Sequence, residues 1–164
     1  MEEARRDAGM SKRLELQNRF YDRVRSPAAR RAAEHSTTGE FDHLGGHKYC
    51  LIVTFKREGT AVPTPVWFGL DGEGLLYFRT GAEVAKVRRI RADPHVLVAP
   101  CGVRGKPLGP SVAGTARVLP DEEKGHAEQA IQSNYGLGRR LYESAADAVG
   151  GDEVYVEVVP SGTS

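Results

Sequence analysis

Apolar residues in the middle of this chain fall into short runs separated by polar, glycine-bearing turns. Tyr49–Phe55, Ala61–Leu70 and Leu75–Phe78 are rich in Val, Leu, Tyr and Phe, and between them lie Arg57-Glu58-Gly59-Thr60 and Asp71-Gly72-Glu73-Gly74. Runs of this length between such turns predict consecutive antiparallel strands. The period then changes. Val84, Val87 and Ile90 recur at helical spacing, Asp93-Pro94 ends the helix, and His95–Cys101 resumes the sheet.

Further along, the glycine-rich stretch Gly102–Pro110 links that strand to another at Ser111–Leu119. Pro120 followed by Asp121-Glu122-Glu123 starts a helix with acid in its first turn, running to about Ser133 and broken by Asn134-Tyr135-Gly136. Leu137–Val149 reads as a second helix with Leu141 and Ala145 on its apolar side, and Val154, Val156 and Val158 alternate with Tyr155 and Glu157 in a last strand. Before the sheet, Leu16, Phe20 and Val24 mark a short amphipathic helix, and Ser26-Pro27 starts another that ends near His35. Ser36–His47 reads as loop, with a short turn around Phe41-Asp42-His43-Leu44. The expected organisation is an N-terminal arm over 1–47, one α+β, mainly β barrel domain over 48–160, and a tail over 161–164.

Composition narrows the partners. The 164 residues can bury a core of one domain, and 23 Lys plus Arg against 22 Asp plus Glu point to no strongly charged partner. The arm is slightly basic, with nine Lys/Arg and six Asp/Glu up to His35, but has no interleaved aromatic residues on which bases could stack. Nucleic acid is therefore not expected. No apolar stretch approaches the roughly 20 residues of a membrane helix. The start of the chain has neither an apolar signal core nor the acid-poor character of a transit peptide. Cys50 and Cys101 match no CxxC spacing and read as buried thiols of a reducing compartment, so the expected location is cytoplasmic. His43 and His47 are separated by Gly45-Gly46 with no third ligand in view, and no metal site is expected. No GxGxxG follows a strand, and neither a P-loop nor a nucleophile elbow occurs.

Two stretches carry candidate chemistry. Arg79, Thr80 and Gly81 fall on the end of the third strand and the turn after it, and Lys86 falls in the first turn of the helix that follows. A helix start already bears partial positive charge and free N–H groups, so a lysine there is misplaced unless an anion compensates it. A phosphate held by Arg79, Thr80, backbone N–H groups and Lys86 would do so; the alternative is a solvated charged surface, which is the expectation for Arg89. Pro63 and Pro65 cannot donate ladder hydrogen bonds, so their strand must be an edge, bulged or interrupted. That frees backbone groups near Thr64, Val66 and Trp67 for a flat polar ring, although Trp67 also fits an ordinary barrel position.

Gly59-Thr60-Ala61-Val62-Pro63-Thr64-Pro65-Val66-Trp67-Phe68, Tyr77-Phe78-Arg79-Thr80-Gly81, Ala85-Lys86-Val87-Arg88-Arg89-Ile90-Arg91, Asp93-Pro94 and Ala99-Pro100-Cys101 together resemble the split-barrel superfamily of pyridoxamine 5′-phosphate oxidase. Within it they are most similar to the small branch using the deazaflavin coenzyme F420. The resemblance spans Lys48 to Leu119. It implies a six-stranded antiparallel split barrel of the FMN-binding type with peripheral helices, assembled as a homodimer with the cofactor at the subunit interface. It further implies an oxidoreductase passing hydride from reduced F420 to a small conjugated organic acceptor. Arg79, Thr80 and Lys86 would hold the phosphate, Thr64, Pro65, Val66 and Trp67 would bed the ring, and Ala99, Pro100 and Cys101 would border it. Arg104 and Lys106 could reach the acidic tail of F420 or form a solvated hairpin tip. No residue stands out as proton donor. The alternatives are an FMN protein and a non-catalytic module holding a flavin or tetrapyrrole. Pyridoxamine phosphate oxidase activity itself is disfavoured, because Val159-Pro160-Ser161-Gly162-Thr163-Ser164 lacks the Arg- and Trp-bearing motif those oxidases use for substrate.

Overall fold

The computed structural model describes residues 36–37, 39–135 and 152–162. The proposed N-terminal helices and the helix over Leu137–Val149 lie outside the described residues.

Strands β2 (Tyr49–Phe55), β3 (Ala61–Leu70), β4 (Leu76–Gly81), β5 (His95–Cys101), β6 (Ser111–Val118) and β7 (Glu153–Pro160) close into one antiparallel barrel, in the order β6-β5-β2-β3-β4-β7 with β7 pairing back onto β6. A two-residue strand β1 (Ser36–Thr37), in a stretch expected to be loop, pairs parallel with β6. Closure explains why several strands are apolar on both faces, β2 most of all. Even-numbered residues of β2–β7 fill the barrel: Cys50, Ile52, Val66, Phe68, Leu76, Phe78, Val96, Val98, Val112, Ala116, Val156 and Val158 form one buried cluster. Phe41 and Leu44, flanking and ending a 3-10 turn at Asp42–Leu44, join it.

Helix α1 (Ala85–Ala92) buries Lys86, Val87 and Ile90, with Ile90 in the barrel cluster. Helix α2 (Lys124–Tyr135), entered through a 3-10 turn at Asp121–Glu123, lies against the outside of β3, β4 and β7. There Ala127, Ala130, Ile131 and Tyr135 pack with Tyr77 and Leu119. Gly69 makes this approach possible, since a Cβ on it would lie 2.1 Å from the Ala130 carbonyl oxygen.

Three expectations are corrected. The third strand runs past Phe78 to Gly81, because β7 pairs with it to the end, so Thr80 and Gly81 sit in a ladder rather than in a turn. Asn134 and Tyr135 extend α2 instead of breaking it, since their side chains find partners on the barrel. Arg89 is not plain surface: its Nε donates to Thr54 Oγ1 at 2.7 Å, tying α1 to the end of β2.

Candidate functional site

β3 pairs with β2 from Ala61 to Trp67 but with β4 only from Phe68 to Leu70. Beyond Phe78, β4 follows β7, and a split opens between β4 and the first half of β3. Pro63 and Pro65 stand on this unpaired side, where a strand tolerates proline, and the strand runs on without interruption. Hairpin and ladder phase determine which groups face the split. Lys56 N–H donates to the Thr60 carbonyl at 2.9 Å, so even-numbered residues make the β2–β3 bonds. Val62, Thr64 and Val66 therefore turn their backbone groups to β2. The groups facing the split belong to Ala61, Pro63, Pro65 and Trp67, rather than to Thr64 and Val66 as the sequence suggested.

Each expected ring contact then has a definite place. Thr64 is in register with Ile52, its side chain turned into the barrel, and its hydroxyl is buried without a hydrogen-bond partner among the described residues. Pro65 and Trp67 face outward. The Trp67 indole packs edge-on against Tyr49, with ring centres 5.2 Å apart, and against Tyr135 at 4.7 Å. Ala99 and Cys101, on the outer face of β5, are buried with Leu51, while Tyr49 packs alongside. Gly105, with φ of +80°, lets the β5–β6 loop lie against Leu51 and Pro65. Pro100 is buried beneath Gly109 of the same loop. Arg104 and Lys106 are exposed on it. Burial pushes the Cys101 thiol up to about 12, so it stays protonated. Burial, together with Cys101, also raises the Cys50 thiol well above its ordinary value against the opposing charge of Lys86.

At the far end of β4, α1 begins without a side-chain cap and without an acidic residue in its first turn. Lys86 is only 8% exposed, and its ammonium lies 5.5 Å from the centre of the Phe78 ring. Arg79 is committed elsewhere. Its guanidinium meets Glu128 of α2 at 3.6 Å and Glu153 of β7 at 3.3 Å, and donates to the Tyr155 hydroxyl at 3.4 Å. Tyr155 in turn donates to Glu128. Two carboxylates thus already balance the Arg79 side chain. Its backbone N–H, in phase with the Gly69–Tyr77 pair, faces the split. Thr80 thus lies next to the end of β4 and Lys86 at the start of α1, whereas the Arg79 guanidinium is turned toward Glu128 and Glu153.

The sequence marks Asn134 and Tyr135 only as a helix break, with no local signal of their contacts to the barrel. The Tyr135 hydroxyl accepts from Phe68 N–H at 2.8 Å and donates to the Lys48 carbonyl at 2.8 Å, replacing the next rung of the β2–β3 ladder. Asn134 Nδ2 donates to the carbonyls of His47 and Phe68. The end of α2 therefore fixes the strand that carries Trp67.

A second recess, of about 450 Å³, opens near the β3–β4 turn at the other end of β4. In it the Tyr77 hydroxyl lies 3.1 Å from Asp71 Oδ2 and 3.0 Å from Glu157 Oε2, and Arg117 bridges Glu157 and Glu123. Burial alone would raise the Asp71 carboxyl. Hydrogen bonds from His126, the N–H groups of Leu75 and Glu73, and Tyr77 outweigh it and hold the group below its usual value. A depressed carboxyl contributes stability that is complete above its unfolded pKa, about 3.9, and is lost as pH falls through the lower folded value. Asp71→Asn should therefore cost on the order of 1–2 kcal/mol at neutral pH and much less near pH 2. Urea unfolding of both proteins across that range checks this, and a pH-independent difference would contradict it.

Among the described residues no three His, Cys, Asp or Glu are placed to hold a metal ion, and His43 Nε2 lies 3.2 Å from the Pro110 carbonyl. Among them, too, no helix is long and apolar enough to cross a membrane.

A closed six-stranded antiparallel barrel with a split beside an uncapped helix start defines the class: a split barrel of the flavin-binding type. The chain belongs to the pyridoxamine 5′-phosphate oxidase family, whose model matches residues 40–160. Solved structures with this fold include an F420 reductase, 23% identical over 76% of this chain and 95% of that one, with a TM-score of 0.50. An FAD-binding protein from Mesorhizobium loti is 19% identical over 72% and 82%, with a TM-score of 0.52. The heme storage protein of Vibrio cholerae is 14% identical over 72% and 84%, with a TM-score of 0.53. No significant match was found among curated proteins.

Proposed function

We propose that this protein is an oxidoreductase that binds reduced coenzyme F420 and serves hydride transfer to a small conjugated organic acceptor. The observation carrying the reading is Lys86, a buried cation at the uncapped start of α1, at the end of the strand that borders the split. The donor set fits a phosphate-bearing flavin or deazaflavin: Lys86, the Thr80 hydroxyl and backbone N–H groups on the phosphate, with Pro65, Trp67 and the open side of β3 against the ring. Ala99, Pro100 and Cys101 support that surface from beneath, and Thr64 and Val66 do so from the barrel side. When bound, reduced F420 supplies the hydride.

The protein's own contribution is placement. Lys86 anchors the charged end, Trp67 is held by Tyr49 and Tyr135, and the apolar outer face of β2 and β5 keeps water away. A second copy of the chain completes the site, and the Arg79 side chain acts on the scaffold rather than on the phosphate.

The test is equilibrium titration with F420, FMN and FAD, followed by turnover with the tightest binder and sedimentation of the loaded protein. Trp67, the one tryptophan of the chain, reports binding by its fluorescence. F420 should bind more tightly than FMN, and the loaded protein should sediment as a dimer. Stoichiometric FMN with no measurable F420 binding, or a monomer binding at full affinity, would contradict the reading.

A further inference from the structure

The prolines of β3 do more than end a ladder. On the side of the split, Pro63 and Pro65 present carbonyl oxygens and no N–H, because proline has none to give. The phase is fixed at both ends of the strand, by the Lys56–Thr60 bond of the hairpin and by Tyr135 bridging Phe68 N–H to the Lys48 carbonyl. Within β3, β4 pairs only with Phe68–Leu70, so among the described residues no strand faces these two carbonyls. Pro63 is buried and Pro65 half-buried. On the barrel side, the hydroxyl of the intervening Thr64 is also buried, with no partner among the described residues. Across the split Arg79 and Gly81 turn both N–H and C=O inward by the same alternation, so the edge lacking donors is that of the two prolines.

Acceptors withdrawn from water and left unmatched are costly, and a ligand supplying donors removes that cost. We propose that the open side of β3 selects its ligand by hydrogen-bond donors: it holds a ring that turns an N–H toward the Pro63 and Pro65 carbonyls and rejects one that offers only acceptors. This rests on the reading of the split as a flavin or deazaflavin site. Such rings carry one N–H in every redox state, at N3 of the pyrimidine, flanked by two carbonyl acceptors. The inference is therefore that N3–H, and not the flanking carbonyls, meets β3.

The experiment titrates Trp67 fluorescence with 5-deaza-FMN and with its N3-methyl derivative, in the native protein and in Pro65→Ala, with melting curves to confirm that both are folded. In the native protein, methylation should weaken binding by about ten- to a hundredfold. Pro65→Ala adds an N–H donor to the row of carbonyls. It should narrow the gap between the probes, because the new donor can meet a ring carbonyl. Equal binding of the two probes to the native protein would overturn the proposal while leaving the cofactor reading intact. A gap that Pro65→Ala does not narrow would be steric exclusion of the methyl group and would also overturn it. Failure of the unmethylated probe to bind the native protein would remove the cofactor reading, and this inference with it.

Discussion

Gly69→Ala should lower the melting temperature by roughly 6–12 °C, corresponding to about 3 kcal/mol in a domain of this size. The added methyl group would lie 2.1 Å from the Ala130 carbonyl oxygen, 2.4 Å from its carbon and 2.5 Å from the Ile131 Cα. All three are backbone atoms of α2, so no side-chain rotamer relieves the clash and the helix must retreat from the barrel. Its retreat would pull Tyr135 from Phe68 and Lys48 and from the Trp67 ring, so tryptophan emission should shift along with stability. Gly72→Ala is the control, because a Cβ there meets nothing within 4 Å. Thermal melts and emission spectra of the two variants check this. A Gly69→Ala protein as stable as native would mean that α2 does not pack here.

Lys86 carries the second large effect. A charge-assisted contact to a phosphate contributes about 1.5–3 kcal/mol, so Lys86→Met should weaken cofactor binding by roughly ten- to a hundredfold. Methionine keeps an apolar stem over Phe78, and the empty protein should melt at or slightly above the native temperature, because a cation leaves an uncapped helix start. Lys86→Ala should lose the same affinity and some stability as well, since the buried stem goes with the charge. Arg88, exposed on the same helix and donating to the Glu83 carbonyl, is the appropriate control. Arg89 is not, given its bond to Thr54. Equal affinity in Lys86→Met and Arg88→Ala would return Lys86 to a purely structural role.

Much of the barrel was legible because its information is local. The limits of β2, β3 and β5 follow from apolar runs and turn residues, and Pro63 and Pro65 marked the unpaired stretch of β3 before any pairing was known. The misplaced charge of Lys86 was visible from helix position alone. What escaped the sequence depends on distant partners. Arg79 looked available for phosphate because Glu128 and Glu153, which occupy it, lie on α2 and β7 far along the chain. Arg89 looked like surface because Thr54 lies across the barrel end. Tyr135 and Asn134 resembled a helix breaker, since side-chain bonds to strand ends leave no periodic trace. Gly69, within a strand, was the one long-range contact with a usable local sign, as an interior glycine often marks close backbone approach.

The central claim, a phosphate at the start of α1 and a ring along the split, is tested most directly by a crystal structure of the protein with F420 bound. The account predicts a phosphate oxygen within about 3 Å of Lys86 Nζ and the deazaflavin lying between the unpaired half of β3 and Trp67, with the Arg79 guanidinium still on Glu128 and Glu153. A cofactor seated instead in the recess of Asp71, Tyr77 and Glu157, or a phosphate bound by Arg79 with Lys86 uninvolved, would contradict it.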